Sequence, residues 1–487
     1  MKYKKITKTL ALTLGILSLP VIGDIGMIKG TLIYQASAAT SLKVNGINFT
    51  VYDDYAEVKD GIPGAPGNPD ISGDIVIPNE VNGKPVTRIG AHAFREAAIT
   101  SVEIPNTVIE IGGYAFYNCT SLTNISLPDS INCIERKAFY GTGLTTLDIS
   151  NVRGVSGGAI YYLPEGCQII ANGPQSFWKD NVLYGDAGET IIAADSSVTN
   201  LVIDNSVKKI ADEAFINNIN IQSVVCGTGL EQIDTRAFSN ASNLSSIVFT
   251  GNSLRTIGES AFEASALKSV NLPEGLEVIK DTAFRNSPLL EEIYMPDTVT
   301  TLGKYAFRGC KAMKTIRLSD NIETISASSF FGCESLTYLK LPNNCTRLNT
   351  GGNDGYFYCK SLKMIEGPKS LVQNKDLNSG DSYERYPYKV YFYDEDEDTC
   401  LKAFWCKSGA DLSDVVEKPA NLGQQFKKWK NRNNTLSIIS NIVDNTTFVA
   451  EYVPGTVGSQ YPKLTAPSVL FSSDKSTNRQ NVTMTLH

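Results

Sequence analysis

Cys119-Thr-Ser-Leu122-Thr-Asn124-Ile125-Ser126-Leu127-Pro128-Asp-Ser-Ile131-Asn-Cys133-Ile134-Glu-Arg-Lys-Ala138-Phe139 is one period of a repeat. Apolar Ile125 and Leu127 alternate with polar Asn124 and Ser126, the two-residue period of a half-buried strand. Pro128 ends that strand because it has no N–H to give to a ladder. Ile131 and Ile134 then return to the core, and Ala138-Phe139 closes the period with one small and one large apolar side chain. The same frame fits residues 267–272, 290–295, 313–318 and 336–341.

The closing phenylalanines are Phe94, Phe116, Phe139, Phe215, Phe238, Phe262, Phe284, Phe307 and Phe330, mostly 22 to 24 residues apart, with Phe357 as a looser tenth. A unit that short cannot bury its own apolar face and must stack on its neighbours. The fold class that follows is a repeat solenoid of short parallel strands and turns, with a column of phenylalanines inside. Between Phe139 and Phe215 the frame weakens. Ile160 stands for phenylalanine after Val155-Ser-Gly-Gly-Ala159, and residues 181–203 read as one elongated coil. Gly154, Gly173 and Pro174 mark loops, and Phe177-Trp178 is expected to cover the widened coil, a ligand loop being the alternative.

With 487 residues, 42% of them hydrophobic and 20% charged, the chain has an ordinary globular composition and length for two or more domains. A net charge of -7 argues against nucleic acid or an anionic membrane as partner, since both require clustered Lys and Arg. Lys2, Lys4, Lys5 and Lys8 precede an apolar run and then Ala36-Ser37-Ala38-Ala39, the layout of an export signal over residues 1–39. If uncleaved, that segment is the one expected membrane contact. Cys119, Cys310, Cys333 and Cys359 recur two or three residues after the repeat phenylalanine, which marks a packing slot for buried thiols. A disulfide between Cys310 and Cys333, one coil apart, is the competing reading.

Residues 111–128 (IGGYAFYNCTSLTNISLP) and 302–325 (LGKYAFRGCKAMKTIRLSDNIETI) resemble the BspA-like leucine-rich repeats of bacterial surface proteins, and the resemblance covers about residues 75 to 370. It implies a curved, exported solenoid used for adhesion or protein recognition, and it supplies no ligand. Residues 388–454 resemble the internalin-type B-repeat, a small β-grasp-like module, through Phe426-Lys-Lys-Trp429, Ile442 and Thr446-Thr-Phe448-Val-Ala450-Glu-Tyr452. Residues 422–425 depart from that pattern. Within this module two strands are expected around the acidic run 394–398, which lacks the ligand spacing and glycine of a calcium loop and reads as a solvated hairpin tip. The expected organisation is a signal over 1–39, an N-terminal cap over 40–88, the solenoid over 89–370, a linker over 371–387, the B-repeat-like module over 388–454, and over 455–487 a linker or the start of a truncated Ig-like domain.

Only His92 and His487 are present, so neither a His-rich zinc site nor a Ser-His-Asp system has its parts. His92 reads as an exposed turn residue, and no cofactor is expected. The residue between the two buried strand positions runs Glu103, Ser126, Asp148, Val202, Val225, Val248, Asn271, Tyr294, Arg317, Lys340 and Glu366 along the coils. With Tyr338 beside them, Tyr294, Arg317 and Lys340 form an aromatic and basic patch of the composition favoured at protein interfaces. Against this stands the plain suitability of Val and Tyr for strands. The candidate partner-binding residues are therefore Val202, Val225, Val248, Tyr294, Arg317, Tyr338 and Lys340. The function read from them is docking of a protein or glycan by a monomer, with a structural stalk second and an enzyme using a pocket in 150–200 third. Truncating the column internally, Phe238→Ala, is expected to cost about 3 to 5 kcal/mol; a melting shift no larger than that of a surface control would remove Phe238 from the core.

Overall fold

The computed structural model describes residues 39–59, 71–349, 359–375, 386–419, 424–433, 436–454, 470–472 and 481–483. The expected export signal, except Ala39, and Phe357 lie outside them. The described chain is a β-solenoid of about 12 turns with a β-rich region at its C-terminal end, as the repeat predicts.

Each coil is built around its Ala-Phe turn. The residue two before the phenylalanine has positive φ in His92, Tyr114, Lys137, Glu213, Arg236, Ser260, Thr282 and Tyr305. That left-handed backbone costs roughly 1 to 2 kcal/mol in a residue with a Cβ. The turn compensates by pointing its N–H groups along the solenoid axis. Phe94 N–H donates to the Ala115 carbonyl of the next coil at 2.7 Å, and the same bond recurs from Phe116 to Ala138, Phe215 to Ala237 and Phe238 to Ala261. The rings stack accordingly, with Phe238 and Phe262 5.4 Å apart and 3° from parallel. All nine phenylalanines from Phe94 to Phe330 are fully buried.

The slot three residues past the phenylalanine is more than a small apolar gap. Cys119 Sγ–H donates to the Phe94 carbonyl at 2.9 Å, and Cys310 Sγ–H to the Phe284 carbonyl at 3.1 Å. Ser287 occupies the same slot and donates its hydroxyl to the Phe262 carbonyl at 2.9 Å. The slot thus takes a small side chain with one donor. All ten cysteines are free, and burial pushes the Cys310 thiol up to about 12, which keeps it protonated.

Two parallel ladders run along the stack. The first carries the strands expected from the alternating pattern, such as Ser269–Asn271, Glu292–Tyr294 and Thr315–Arg317 in register. The second was not expected as strand. It pairs two-residue pieces such as Lys209–Ile210, Gln232–Ile233 and Thr256–Ile257, whose isoleucines are buried. Residues 122–127, read above as a strand, have no ladder partner. Their backbone accepts isolated bonds instead, from Gly143 N–H to Leu122 O and from Thr145 N–H to Thr123 O, and Leu127 is only half-buried.

At the N-terminal end the antiparallel strands Thr40–Val44, Ile47–Val51 and Ala56–Lys59 lead into the parallel strand Lys84–Ile89 and cover the first coil. At the other end Met364–Glu366 pairs in parallel with Tyr338–Lys340 and antiparallel with Cys400–Cys406, so one six-stranded sheet joins the solenoid to the C-terminal region. Along Cys400–Cys406, Trp405 points into the solenoid core and Phe404 into a second core with Val390, Phe392, Ile442 and Phe448. The strands expected around residues 394–398 are Tyr388–Tyr393 and Cys400–Cys406, paired antiparallel. The stretch read as linker from 371 begins inside the helix Lys369–Asn374. Of the last 33 residues, Leu470–Ser472 and Asn481–Thr483 are described and pair antiparallel.

The expected elongated coil over 181–203 carries an inserted antiparallel meander of Phe177–Lys179, Val182–Gly185 and Thr190–Ala194, whose last strand joins Lys209–Ile210 in parallel, and Asn200–Val202 then enters the first ladder. Its tight links at Asp180-Asn181 and Asp186-Ala187, all at positive φ, reverse the chain where a repeat turn would have advanced it. This coil supplies a ladder strand but no Ala-Phe turn. Ile160 does take the phenylalanine position, on the helix Gly157–Tyr161, and this helix packs directly on the next true turn: a Cβ on Gly157 would lie 2.5 Å from Ala214 Cα. Phe177 covers the meander by stacking on Tyr184 at 5.5 Å, whereas Trp178 stays exposed. Replacing Gly157 with alanine is expected to lower stability by about 1 to 3 kcal/mol, because two backbones must separate. Gly154→Ala, which meets nothing closer than 3.5 Å, is the control, and equal melting temperatures for the two variants would contradict this packing.

Candidate functional site

The first ladder brings the expected surface residues together in three groups. Val202, Val225 and Val248 are direct lateral partners. Val202 is 69% and Val248 48% exposed, and Val225 is half-buried. Next come Asn271, Tyr294 and Arg317, again in register. Tyr294 is 44% exposed, and the Arg317 guanidinium is held by Asp297 at 3.0 Å. Tyr338 and Lys340 begin the third group, whose strand pairs with Met364–Glu366 and not with Thr315–Arg317. At that break a cleft of about 230 Å³ is lined by Arg317, Asp320, Tyr338 and Lys340. Five of the seven candidate residues therefore offer exposed side chains: Val202 and Val248 on one three-stranded sheet, Tyr294 and Arg317 on the next, and Lys340 beyond the break.

Two positions differ from the sequence reading. Glu366 ends the column buried, where it accepts from the Tyr338 hydroxyl and from Lys402 at 3.3 Å, with Lys340 3.8 Å away. Its carboxylate is the electrostatic anchor of the joint with the C-terminal region. Tyr338 is correspondingly half-buried, and burial together with the Glu366 carboxylate raises its phenol well above the usual range. It serves the joint more than the surface. The reason was not visible locally: Lys402 lies 36 residues from Glu366, in a strand that only the tertiary fold brings alongside.

The edge formed by the Ala-Phe turns holds a second constellation. His92 is not an exposed turn residue; it is half-buried and stacks on Tyr114 with ring centroids 4.9 Å apart. Its Nδ1 is buried without a hydrogen-bond partner. Tyr114 continues to Tyr117, and Tyr117 stacks on Tyr140 at 4.7 Å. Lys137 Nζ lies 4.3 Å from the Tyr162 ring, a cation–π distance. Sequence reading missed this row, although its signal was present. Aligning coils on the phenylalanine puts an aromatic two residues before or one residue after it in consecutive coils, as in Tyr114, Tyr117 and Tyr140.

Beside the row a groove of about 700 Å³ opens along the second ladder, reaching from His92 and Tyr114 across Arg136 and Arg153 to Lys209 and Asp212. Its charges are matched. Arg136 meets the fully buried Glu213 at 2.6 Å, Arg153 meets Asp186 at 3.7 Å, and Lys209 meets Asp234 at 2.7 Å. Ser156 donates its hydroxyl to Asp212 at 2.6 Å, and burial raises the Asp212 carboxyl above its ordinary value. Burial likewise pushes the neighbouring Cys133 thiol up to about 11, far from the low values that activate a nucleophile. The groove thus draws part of its lining, Arg153, Ser156, Asp186 and Thr190 among it, from residues 150–200, where the sequence pointed to an insertion, and the rest from the neighbouring coils.

The family described as BspA type leucine rich repeat region matches residues 87–165, 191–311 and 277–377, in 6 copies. No curated protein matches the chain. Among solved structures the chain is similar to a leucine rich cell surface protein from Faecalibacterium prausnitzii at 23% identity, with 65% of this chain and 96% of that chain covered and a TM-score of 0.33. It is also similar to a leucine-rich repeat protein from Eubacterium ventriosum at 16% identity, covering 67% and 96% with a TM-score of 0.39. The pneumococcal vaccine antigen PcpA is matched at 18% identity, covering 63% and 89% with a TM-score of 0.36. The family match alone spans more than half of the 487 residues, and with the stacked Ala-Phe turns described above it means that this chain belongs to the BspA type leucine-rich repeat family.

Proposed function

We propose that the chain is an exported bacterial surface protein that recognises a protein or glycan partner through the exposed face of its first ladder, without enzymatic activity or a cofactor. The observation that carries this reading is the exposure of Val202 and Val248 on one three-stranded sheet and of Tyr294 and Arg317 on the next, along the same side of the stack. Exposed valines give up water at little entropic cost, and a tyrosine beside an arginine is the pairing enriched at binding hot spots. The cleft between Arg317 and Lys340 adds a small recess for an acceptor group of the partner. The raised thiol of Cys133 and the scarcity of histidine weigh against catalysis.

A signal over residues 1–39, a cap over 40–88, a solenoid over 89–370 and a linker over 371–387 complete this proposal. So do a B-repeat-like β-grasp module over 388–454 and a truncated Ig-like start within 455–487. A stalk that presents another domain is the second reading, and the shared sheet through Met364–Glu366 and Cys400–Cys406 favours it, because a continuous sheet transmits orientation. The two readings separate in one experiment: capture of proteins and glycans on arrays by the purified chain and by its Tyr294→Ala/Arg317→Ala variant. Loss of roughly tenfold or more in affinity is expected, as for two hot-spot residues. Binding that is unchanged while the melting temperature holds would reject the ladder as the docking surface.

A further inference from the structure

From the groove beside the tyrosine row we infer a second binding site, for a neutral oligosaccharide, built by the coil that has a ladder strand but no Ala-Phe turn. At about 700 Å³ the groove has the size of a small-ligand site rather than of a broad protein interface. Three cations, Arg136, Arg153 and Lys209, face three carboxylates, Glu135, Asp186 and Asp212, so no net field selects an anion or a cation. Mixed donors and acceptors at short range suit hydroxyl groups, each of which both donates and accepts.

One wall is aromatic. The stacked His92 and Tyr114 rings present apolar surface to the C–H faces of a sugar ring. His92 Nδ1, buried and unpartnered in that wall, is a polar atom of the kind that a ligand hydroxyl would satisfy. The opposite wall carries Arg153 and Asp186, with side chains 62% and 42% exposed and a long 3.7 Å contact between them. That pair is loose enough to open towards a diol, the guanidinium donating and the carboxylate accepting. Asp212, held by Ser156 at 2.6 Å, forms the floor and offers carboxylate oxygens that accept from ligand hydroxyl groups.

This site is independent of the ladder face. The test is saturation-transfer NMR and calorimetry on the purified full chain with neutral trisaccharides built from glucose, galactose, mannose or N-acetylglucosamine, alongside sialylated and sulfated counterparts. A neutral trisaccharide is expected to bind, and Arg153→Ala and Asp186→Asn are each expected to weaken it about tenfold, the loss of one charged hydrogen bond. Both side chains are largely exposed, so melting temperatures should not change. Tyr294→Ala/Arg317→Ala should leave this binding within about twofold, because sites that share no partner are energetically independent; that result keeps the site distinct from the ladder surface. No binding by any neutral trisaccharide, binding by the acidic glycans alone, or undiminished affinity in both groove variants would each overturn the proposal.

Discussion

The rest of the structure depends on the axial stacking of the Ala-Phe turn. Each turn spends backbone strain on a left-handed residue and recovers it through N–H groups that donate to the next coil. The fully buried phenylalanine ring then fixes the spacing, since a ring flanked by two parallel rings about 5 Å away has no room to shift. Burying a side chain of this size stabilises by roughly 1.5 to 3 kcal/mol, but only when a neighbour supplies the other wall. Stability is therefore a property of adjacent coils, and both ends must be closed by something other than a coil.

The two closures use different devices. At the N-terminal end an antiparallel meander hands its last strand, Ala56–Lys59, to the second ladder. At the C-terminal end it is the first ladder that is closed, by Cys400–Cys406 running against Met364–Glu366. An unpaired ladder edge is a template for aggregation, and one strand here removes it while its alternate side chains, Trp405 and Phe404, fill two different cores. Buried Glu366, with Lys402, Lys340 and Tyr338 around it, locks the same joint electrostatically. The price of that lock is Tyr338, which the surface loses to the interior.

Where one coil lacks its turn, the stacking rule is broken locally and the surface becomes concave. The helix Gly157–Tyr161 closes on Ala214 on the turn side, while Thr190–Ala194 adds a strand on the ladder side. Buried Glu213, clamped by Arg136 at 2.6 Å and Arg236 at 3.5 Å, ties the coils across this joint. A regular solenoid offers flat walls; its irregularity is what supplies a groove.

The sequence by itself determined the period, the buried column and the strand face, because a 22 to 24 residue repeat of apolar positions admits no other way to exclude water. It also marked the thiol slot, since Cys119, Cys310, Cys333 and Cys359 recur at one position of the frame. It did not reveal the second ladder, whose two-residue strands are too short to display a period, nor the left-handed turn residues, which include His, Tyr, Lys, Glu and Thr and share no side-chain signature. Only the tertiary structure decided that 177–194 folds as a meander, that Glu366 is buried and that His92 faces a groove. Those outcomes rest on contacts between residues far apart in the chain, Glu366 with Lys402 and Ser156 with Asp212. No local pattern encodes such contacts, because their energy exists only once the coils are stacked.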